Sequence, residues 1–235
     1  MQQNKRDSRY DAFIHPTTCA PDDFLGQVRR TLHGKPIPQE QVDIILFAIR
    51  EALVFSPEDV LLDMCCGNGV IGKEFFDEIK GYHGVDFSPA LVAIAQKNFQ
   101  RSPAYEFTES DIETYLVNEP APARFTKALQ YGSLAYFTDK QITNILSCLF
   151  KRFTGVQRLF VAPLPDAAKA DAFFQGKEKQ PLDDPLTPIG RWFMRNEFKH
   201  LAESCGWSVA IQDMAPTSYQ AHYRFDAQLT RKCSG

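Results

Sequence analysis

The sequence predicts a three-layer α/β domain with a mostly parallel sheet. The main observation is the stretch 59–72, where an apolar run is followed by Gly67, Gly69 and Gly72 in a Gly-x-Gly-x-x-Gly pattern. An apolar run that ends in glycines is typical of a strand buried on both faces. Four apolar residues follow at helical spacing: Ile71, Phe75, Phe76 and Ile79. The unit is therefore predicted to be a strand, a glycine loop and a helix.

Helical and strand patterns alternate through the rest of the chain. Helices are predicted over 39–55, 89–99, 139–149 and 196–205, and further strands over 82–86, 105–111, 125–131, 158–162, 207–211 and 222–230. The last two strands suit an antiparallel hairpin. The segment at about 163–195 is long, polar and rich in proline, and we expect it to form a cap over the substrate.

Residues 1–40 are polar and rich in proline, and we separate them as an N-terminal arm from a main domain over 41–235. A short helix capped by Asp22 or Asp23 is predicted within the arm. Two interpretations stay open. The arm is a solvated extension, or it is a lid that supplies Tyr10, Phe13 or an arginine to the substrate.

Composition narrows the classes of partner. The 235 residues are 44% hydrophobic and 23% charged, which suits one well-buried domain. The net charge is −3 and no run of lysine and arginine occurs, so we expect no nucleic-acid partner. No apolar run approaches the roughly 20 residues of a membrane span, and the N-terminus lacks an apolar signal core, so we expect a cytoplasmic protein without a membrane partner.

The cysteine and histidine spacing does not indicate a metal. The six cysteines form no Cys-x-x-Cys pair, and no cluster has the spacing of metal ligands. We therefore expect reduced thiols and no metal site. The oligomeric state, monomer or dimer, stays open.

Two acidic residues indicate which cofactor the glycine loop binds. Glycine patterns of this kind also occur in dinucleotide sites, where a pyrophosphate meets the loop. Asp63, at the end of the first strand, would repel a pyrophosphate but suits the ammonium and sulfonium of S-adenosylmethionine. Asp86 ends the next strand and can accept both ribose hydroxyls of either cofactor. The sequence therefore favours the methyl donor.

The chain resembles the class I S-adenosylmethionine-dependent methyltransferases. The likeness is carried by Asp63-Met-Cys-Cys-Gly-Asn-Gly69 and Gly84-Val-Asp86-Phe-Ser-Pro89, and it runs from about Pro57 to the C-terminus. It implies a Rossmann-like fold with a mostly parallel seven-stranded sheet and a C-terminal antiparallel hairpin. Cys65 departs from the family, which most often has glycine there.

The resemblance also implies which residues bind the cofactor. These are Asp63, Cys65, Gly67, Asn68, Gly69, Asp86, Phe87, Asp111, Ile112 and Gln130. Asp111 has two interpretations, an acceptor for the adenine amine or a helix cap, and one carboxylate can serve both. The product would be S-adenosylhomocysteine.

The acceptor is less well defined by the sequence. Enzymes that methylate amines of nucleic acid carry Asn/Asp-Pro-Pro-aromatic after the fourth strand, whereas this chain has Gln130-Tyr131-Gly-Ser-Leu134. The layout of Pro188-Ile-Gly-Arg-Trp-Phe193 and the later His-Tyr-Arg-Phe-Asp resembles bacterial methyltransferases of glycan and natural-product biosynthesis. We therefore expect a small-molecule acceptor, and in first place a hydroxyl of a sugar or secondary metabolite. The alternatives are a protein or nucleic-acid methyltransferase, a dinucleotide-dependent oxidoreductase and a cofactor-binding protein without catalysis.

A general base is needed only when the acceptor keeps its proton. His222 is the candidate base because imidazole titrates near neutral pH, although a surface histidine fits the same pattern. Tyr131 is the second catalytic candidate, as a hydrogen-bond donor or a pocket wall, and Trp192 either stacks on a ring or packs the cap. Three arginines are candidates to hold a phosphate or carboxylate: Arg191, Arg195 and Arg224.

Overall fold

The structure, a computed structural model, describes residues 14–232. The N-terminal part contains helices α1 (residues 14–18) and α2 (Phe24–Gln27) and a hairpin of β1 (Thr31–Leu32) and β2 (Lys35–Pro36). The other helices are α3 (Gln39–Leu53), α4 (Pro89–Phe99), α5 (Ile112–Asn118), α6 (Asp139–Arg152), α7 (Ala170–Phe173) and α8 (Arg195–Ser204). Tyr10 and Phe13, proposed above as contributions of the arm, lie outside the described residues.

The main sheet has seven strands. They are β3 (Val60–Met64), β4 (Gly81–Asp86), β5 (Tyr105–Glu109), β6 (Lys127–Tyr131), β7 (Arg158–Pro165), β8 (Trp207–Asp213) and β9 (Arg224–Arg231). The order across the sheet is β5-β4-β3-β6-β7-β9-β8. The first five strands are parallel, whereas β9 runs antiparallel to both of its neighbours. The predicted fold class is therefore confirmed.

Helices cover both faces of this sheet. One apolar core lies between the sheet and α3, α4 and the segment 71–79, and a larger core lies between the sheet and α5, α6 and α8. Because the strand order reverses at β3, the carboxyl ends of β3, β4 and β6 meet at one edge, where ligands bind in sheets of this kind.

Local capping explains where the helices that flank this edge begin. Ser88 accepts a hydrogen bond from the backbone of Leu91, and Pro89 occupies the first turn of α4. Thr138 and Gln141 form a reciprocal capping box at the start of α6. Asp23 caps α2.

Two sequence predictions differ from the structure. The helix expected after Gly72 is only a 3-10 turn, Gly72–Phe75, because the amides of Phe76 and Glu78 donate to carbonyls three residues back. The spacing predicted the buried face correctly, since Ile71, Phe75, Phe76 and Ile79 are all buried. Strand β7 continues to Pro165, three residues past its predicted end, because it pairs with β9 beyond a bulge. The cap accordingly begins later than predicted.

Candidate active site

The glycine loop leaves β3 through backbone that side chains rarely adopt. Cys65, Gly67 and Gly69 have φ of 60°, 59° and 75°. The left-handed conformation costs a residue with a Cβ about 1–2 kcal/mol. This conformation favours glycine, so Cys65 is a strained residue of the loop.

The third glycine makes room for a tyrosine that holds Asp63. A Cβ on Gly72 would overlap the ring of Tyr82. The hydroxyl of Tyr82 donates to Asp63 Oδ2 at 2.8 Å. The glycine pattern therefore does more than shape the loop, because it allows a buried phenol to orient the first acid of the site.

Asp63 is only 4% exposed, and its ionisation is unusual. Burial raises the pKa of Asp63 to about 7, with Asp86 adding to the rise and the Tyr82 hydroxyl and Arg30 opposing it. A carboxyl of this kind is ready to lose its proton when a cation binds beside it. That property fits the cationic amino acid part of S-adenosylmethionine.

Asp86 is tied into the same loop. Its Oδ2 accepts from the amide of Gly67 at 2.8 Å and its Oδ1 accepts from the amide of Ser88 at 2.9 Å. Burial raises the pKa of Asp86, and these backbone donors oppose the rise. A carboxylate has about four acceptor positions, so Asp86 keeps room for the two ribose hydroxyls.

Asn68 and Gly67 contact the arm rather than open space. The Asn68 amide is fully buried and donates to the carbonyl of Phe24 and to Gln27 Oε1 at 2.8 and 2.9 Å. A Cβ on Gly67 would lie 2.9 Å from Val28 Cγ1. The arm therefore docks on the glycine loop. The predicted cofactor role of Asn68 rests on its backbone, because its amide donors are already used.

Two predicted adenine contacts lie at the end of β5. Asp111 caps α5 through Oδ1, which accepts from the amides of Glu113 and Thr114 at 3.0 and 3.2 Å. Its side chain is exposed, and Ile112 is the first residue of the helix. The cap interpretation holds, and the adenine role stays a prediction. Phe87, at 37% exposed, follows Asp86 on the same edge.

The last two residues of β6, Gln130 and Tyr131, point to opposite faces of the sheet. Gln130 is fully buried and donates to Ser133 Oγ at 3.4 Å, whereas its Oε1 has no partner among residues 14–232. Tyr131 points to the opposite face, where the guanidinium of Arg30 lies 4.7 Å from its ring centre. Arg30 also donates to the carbonyl of Tyr131 at 3.5 Å.

A group of polar residues that sequence reasoning did not assemble surrounds Tyr131. We call Arg30, Tyr131, Tyr219, Arg224 and Asp226 the acceptor cluster. Burial raises the pKa of Tyr131, with Asp226 and Tyr219 adding to the rise and Arg30 and Arg224 opposing it, so all four lie within electrostatic reach. Arg30 also acts on Asp63, which connects the cluster to the glycine loop.

Three atoms of the acceptor cluster are buried without a hydrogen-bond partner in the described part of the chain. They are Arg30 Nε, Arg224 Nε and Asp226 Oδ1. Burial raises the pKa of Asp226 to about 7, and Arg224 opposes the rise. A signal for this site exists in the sequence: Arg224, Asp226 and Gln228 alternate with apolar residues in a strand that has neighbours on both sides.

Trp192 lies in the segment predicted as the cap, and His222 lies in the loop between β8 and β9. Trp192 packs with Phe173, Phe174 and Tyr223 in a small buried cluster. His222 is exposed and lies on the outside of that cluster, with its ring centre 4.7 Å from that of Tyr223. Trp192 therefore packs in this cluster, and its stacking on a ligand ring stays a prediction. The role of His222 as base stays a prediction.

Two of the three candidate arginines are used in ion pairs. Arg191 pairs with Asp139 at 2.5 Å, and Arg195 bridges Asp166 and Asp213 at 2.8 and 2.5 Å. Arg224 has no ion pair within the described residues, and its Nη1 donates only to the carbonyl of Pro163, at 3.4 Å. Of the three, Arg224 is the one without an ion pair in this part of the chain.

Comparison with known proteins agrees with this geometry. Residues 61–153 match the family model described as a methyltransferase domain. An uncharacterized RNA methyltransferase of Lactiplantibacillus plantarum is 31% identical over an alignment 111 residues long, which covers 37% of this chain and 23% of the relative. The chain thus spans less than a quarter of that relative's length.

Solved structures share the whole fold at low identity. The magnesium protoporphyrin IX methyltransferase of Synechocystis PCC 6803, with bound SAH (S-adenosylhomocysteine), has a TM-score of 0.62 and 15% identity over 96% of this chain and 95% of its own. A small RNA methyltransferase, HEN1, has a TM-score of 0.62 and 17% identity over 85% of this chain and 26% of its own. Residues 61–153 therefore match a methyltransferase domain, and the whole fold is one that these methyltransferase structures share.

Proposed function

We propose that the protein transfers a methyl group from S-adenosylmethionine to a small molecule, at a hydroxyl of a sugar or secondary metabolite. The observation that carries the proposal is the pair of buried carboxyls at the glycine loop, Asp63 and Asp86. Asp63 ends the strand that leads into the glycine loop, where a dinucleotide would bring its phosphates. A carboxylate at that place favours a cationic ligand over a phosphate.

The donor supplies a methyl group on a positively charged sulfur. The chain's part is to hold the donor and acceptor in line and to exclude water. Asp86 and the loop amides hold the nucleoside, while Asp63 and Tyr82 hold the amino acid part. Gln130 is a further hydrogen-bond acceptor at the same edge, because its buried Oε1 has no partner among residues 14–232.

The cap supports a small acceptor. The amide of Arg191 donates to the carbonyl of Ala135 at 2.8 Å, and the hydroxyl of Tyr136 donates to the carbonyl of Pro188 at 3.0 Å. The cap is therefore fastened to the turn that follows β6, beside Tyr131. A fastened cap suits a small acceptor better than a polymer.

Titration calorimetry tests the donor assignment. We expect SAH to bind and NAD to bind far more weakly, because Asp63 repels a pyrophosphate. Tighter binding of NAD would favour the oxidoreductase. A screen of sugars and phenols with a methyl-labelled donor then identifies the acceptor by its mass shift.

A second candidate, an RNA methyltransferase, is favoured by the printed names of the relative from Lactiplantibacillus plantarum and of HEN1. The excess of 29 acidic over 26 basic residues favours it less. Total RNA incubated with the labelled donor separates the two. Incorporation of the label into RNA, with less incorporation when the reaction is run at higher salt, would support this alternative.

A further inference from the structure

The acceptor cluster brings together two buried charged side chains, Arg224 and Asp226, and the half-buried Arg30, whose guanidinium contacts Tyr131 and hydrogen-bonds Tyr219. Arg30 and Arg224 form no ion pair among residues 14–232, and Asp226, 5% exposed, leaves Oδ1 without a donor. Buried polar atoms are normally hydrogen-bonded, and a buried unpartnered group costs about 1–3 kcal/mol. A cluster of three such groups indicates a ligand.

The chemistry of the cluster defines that ligand. A guanidinium has five donors and no acceptor, so two of them suit a carboxylate or a phosphate. Asp226, once ionised, accepts a hydrogen bond from a hydroxyl. Tyr131 and Tyr219 lie within electrostatic reach of these charges and supply aromatic surface.

We propose that the acceptor cluster is the methyl-acceptor subsite and that it takes a small molecule with an anionic group, held by Arg30 and Arg224, and a hydroxyl, held by Asp226. This inference rests on the proposed function. It places the proton acceptor on β9 rather than at His222.

The reaction at this subsite balances as follows. The hydroxyl oxygen forms a bond to the methyl carbon and gives its proton to Asp226. The electron pair of the broken carbon–sulfur bond stays on sulfur and neutralises its charge. The products are a methyl ether and SAH, and the proton passes from Asp226 to water.

The ionisation of Asp226 fits this role. The charged group that acts on Asp226 is Arg224 on β9, and Asp226 in turn acts on Tyr131 on β6, which Arg30 and Tyr219 also approach. Burial raises its pKa to about 7. A base with a pKa near the working pH transfers protons most effectively.

A set of matched probes tests the subsite by binding alone. The probes are 4-hydroxybenzoate, benzoate without the hydroxyl, and 4-hydroxybenzyl alcohol without the charge, each titrated into the full chain saturated with SAH. A second pair, glucuronate and glucose, tests the same charge on a sugar. We expect the charged member of each pair to bind at least about tenfold more tightly than its uncharged match.

Variants assign the contributions. Arg224→Gln should weaken the anionic probes by about tenfold or more and leave 4-hydroxybenzyl alcohol unchanged. Arg224→Lys, which keeps the charge, should retain part of the affinity. The control is Arg101→Gln, since Arg101 is exposed and lies near the opposite edge of the sheet, 3.9 Å from Asp77.

Asp226→Asn tests the hydroxyl contact through pH. In the natural chain, binding of 4-hydroxybenzyl alcohol should strengthen as pH rises through about 7, because only the carboxylate is a strong acceptor. In Asp226→Asn this dependence should vanish, and methyl-ether formation on the best hydroxy acid should fall by about 10²–10⁴.

The outcomes separate this inference from the proposed function. If SAH binds but no anionic probe exceeds its uncharged match up to about 10 mM, the subsite is wrong and the donor site stands. A methyl ester in place of a methyl ether would overturn the role of Asp226. If SAH itself does not bind, both proposals fall.

Discussion

The two halves of the sheet edge satisfy their polar groups in different ways. In the donor half, formed by the glycine loop with Asp63 and Asp86, the carboxyls accept from Tyr82 and from backbone amides. In the acceptor cluster, Arg30, Arg224 and Asp226 keep atoms that have no partner among residues 14–232. The polar groups of the donor half are satisfied within the chain, whereas those of the acceptor cluster are satisfied, in our proposal, by a ligand. This difference gives each half its own response to substitution.

The largest expected effect is that of Asp86→Ala on the donor half. It removes the acceptor of the ribose hydroxyls and also frees the amide of Gly67, so SAH affinity should fall by about 2–4 kcal/mol in calorimetry. Asp77→Ala, on a side chain that is 99% exposed, is the control. An unchanged affinity in Asp86→Ala would falsify the ribose assignment.

The next effect concerns Gly69, which the sequence analysis assigns to the cofactor. A Cβ on Gly69 would lie 2.5 Å from the ring of Phe107, so a side chain at this position collides with the core rather than with the cofactor. Gly69→Ala should therefore lower the free energy of unfolding by about 1–3 kcal/mol more than strain alone.

Gly34 supplies the matched comparison. It has the same φ as Gly69, +75°, but a Cβ there would meet nothing within 4 Å of the described structure. Gly34→Ala should cost only the backbone strain, about 1–2 kcal/mol. The two variants are compared by urea unfolding. Equal losses in the free energy of unfolding would show that Phe107 does not collide with a side chain at position 69.

A smaller effect is the pH dependence of donor binding. Because the pKa of Asp63 is raised to about 7, SAM should bind about tenfold more tightly at about pH 8 than at about pH 6. The stability of the free protein should move the other way. The raised pKa means that the folded chain holds the proton more tightly, so this contribution is present below about pH 4 and is lost as pH rises through about 7.

Calorimetry across this pH range, with Tyr82→Phe beside the natural chain, sharpens the assignment. Loss of the Tyr82 hydroxyl, which opposes the rise, should move the transition to higher pH. If the transition does not move, Asp63 is not the titrating group.

The smallest effect is that of Cys65→Gly. The substitution removes the strain of a side chain at φ 60° but increases the conformational entropy of the unfolded chain. The free energy of unfolding should therefore change by less than about 1 kcal/mol. The affinity for SAH should not change. A large loss of affinity would mean that the thiol itself contacts the donor.

The donor half was predictable because its signals are local. Asp63, the three glycines and Asp86 lie within one strand-loop-strand unit, and the ends of parallel strands meet at one edge. The helix after Gly72 was predicted wrongly because spacing reports which residues share a face, not which carbonyl each amide selects.

The acceptor cluster was not predictable because it joins the arm, β6, a loop and β9, whose contacts exist only in the folded chain. Arg224 was one of three candidate arginines that the sequence did not distinguish. Only the folded chain shows that Arg191 and Arg195 are paired with aspartates. The sequence favoured His222 over Asp226 because histidine is the more common general base in enzymes.

The most direct test of this account is a crystal structure of the protein with SAH. We predict ribose hydroxyls within hydrogen-bonding distance of Asp86 and a sulfur atom that lies nearer to Asp226 Oδ1 than to the ring of His222. A sulfur that faces His222, with the acceptor cluster remote from it, would contradict the account and return the role of base to the histidine.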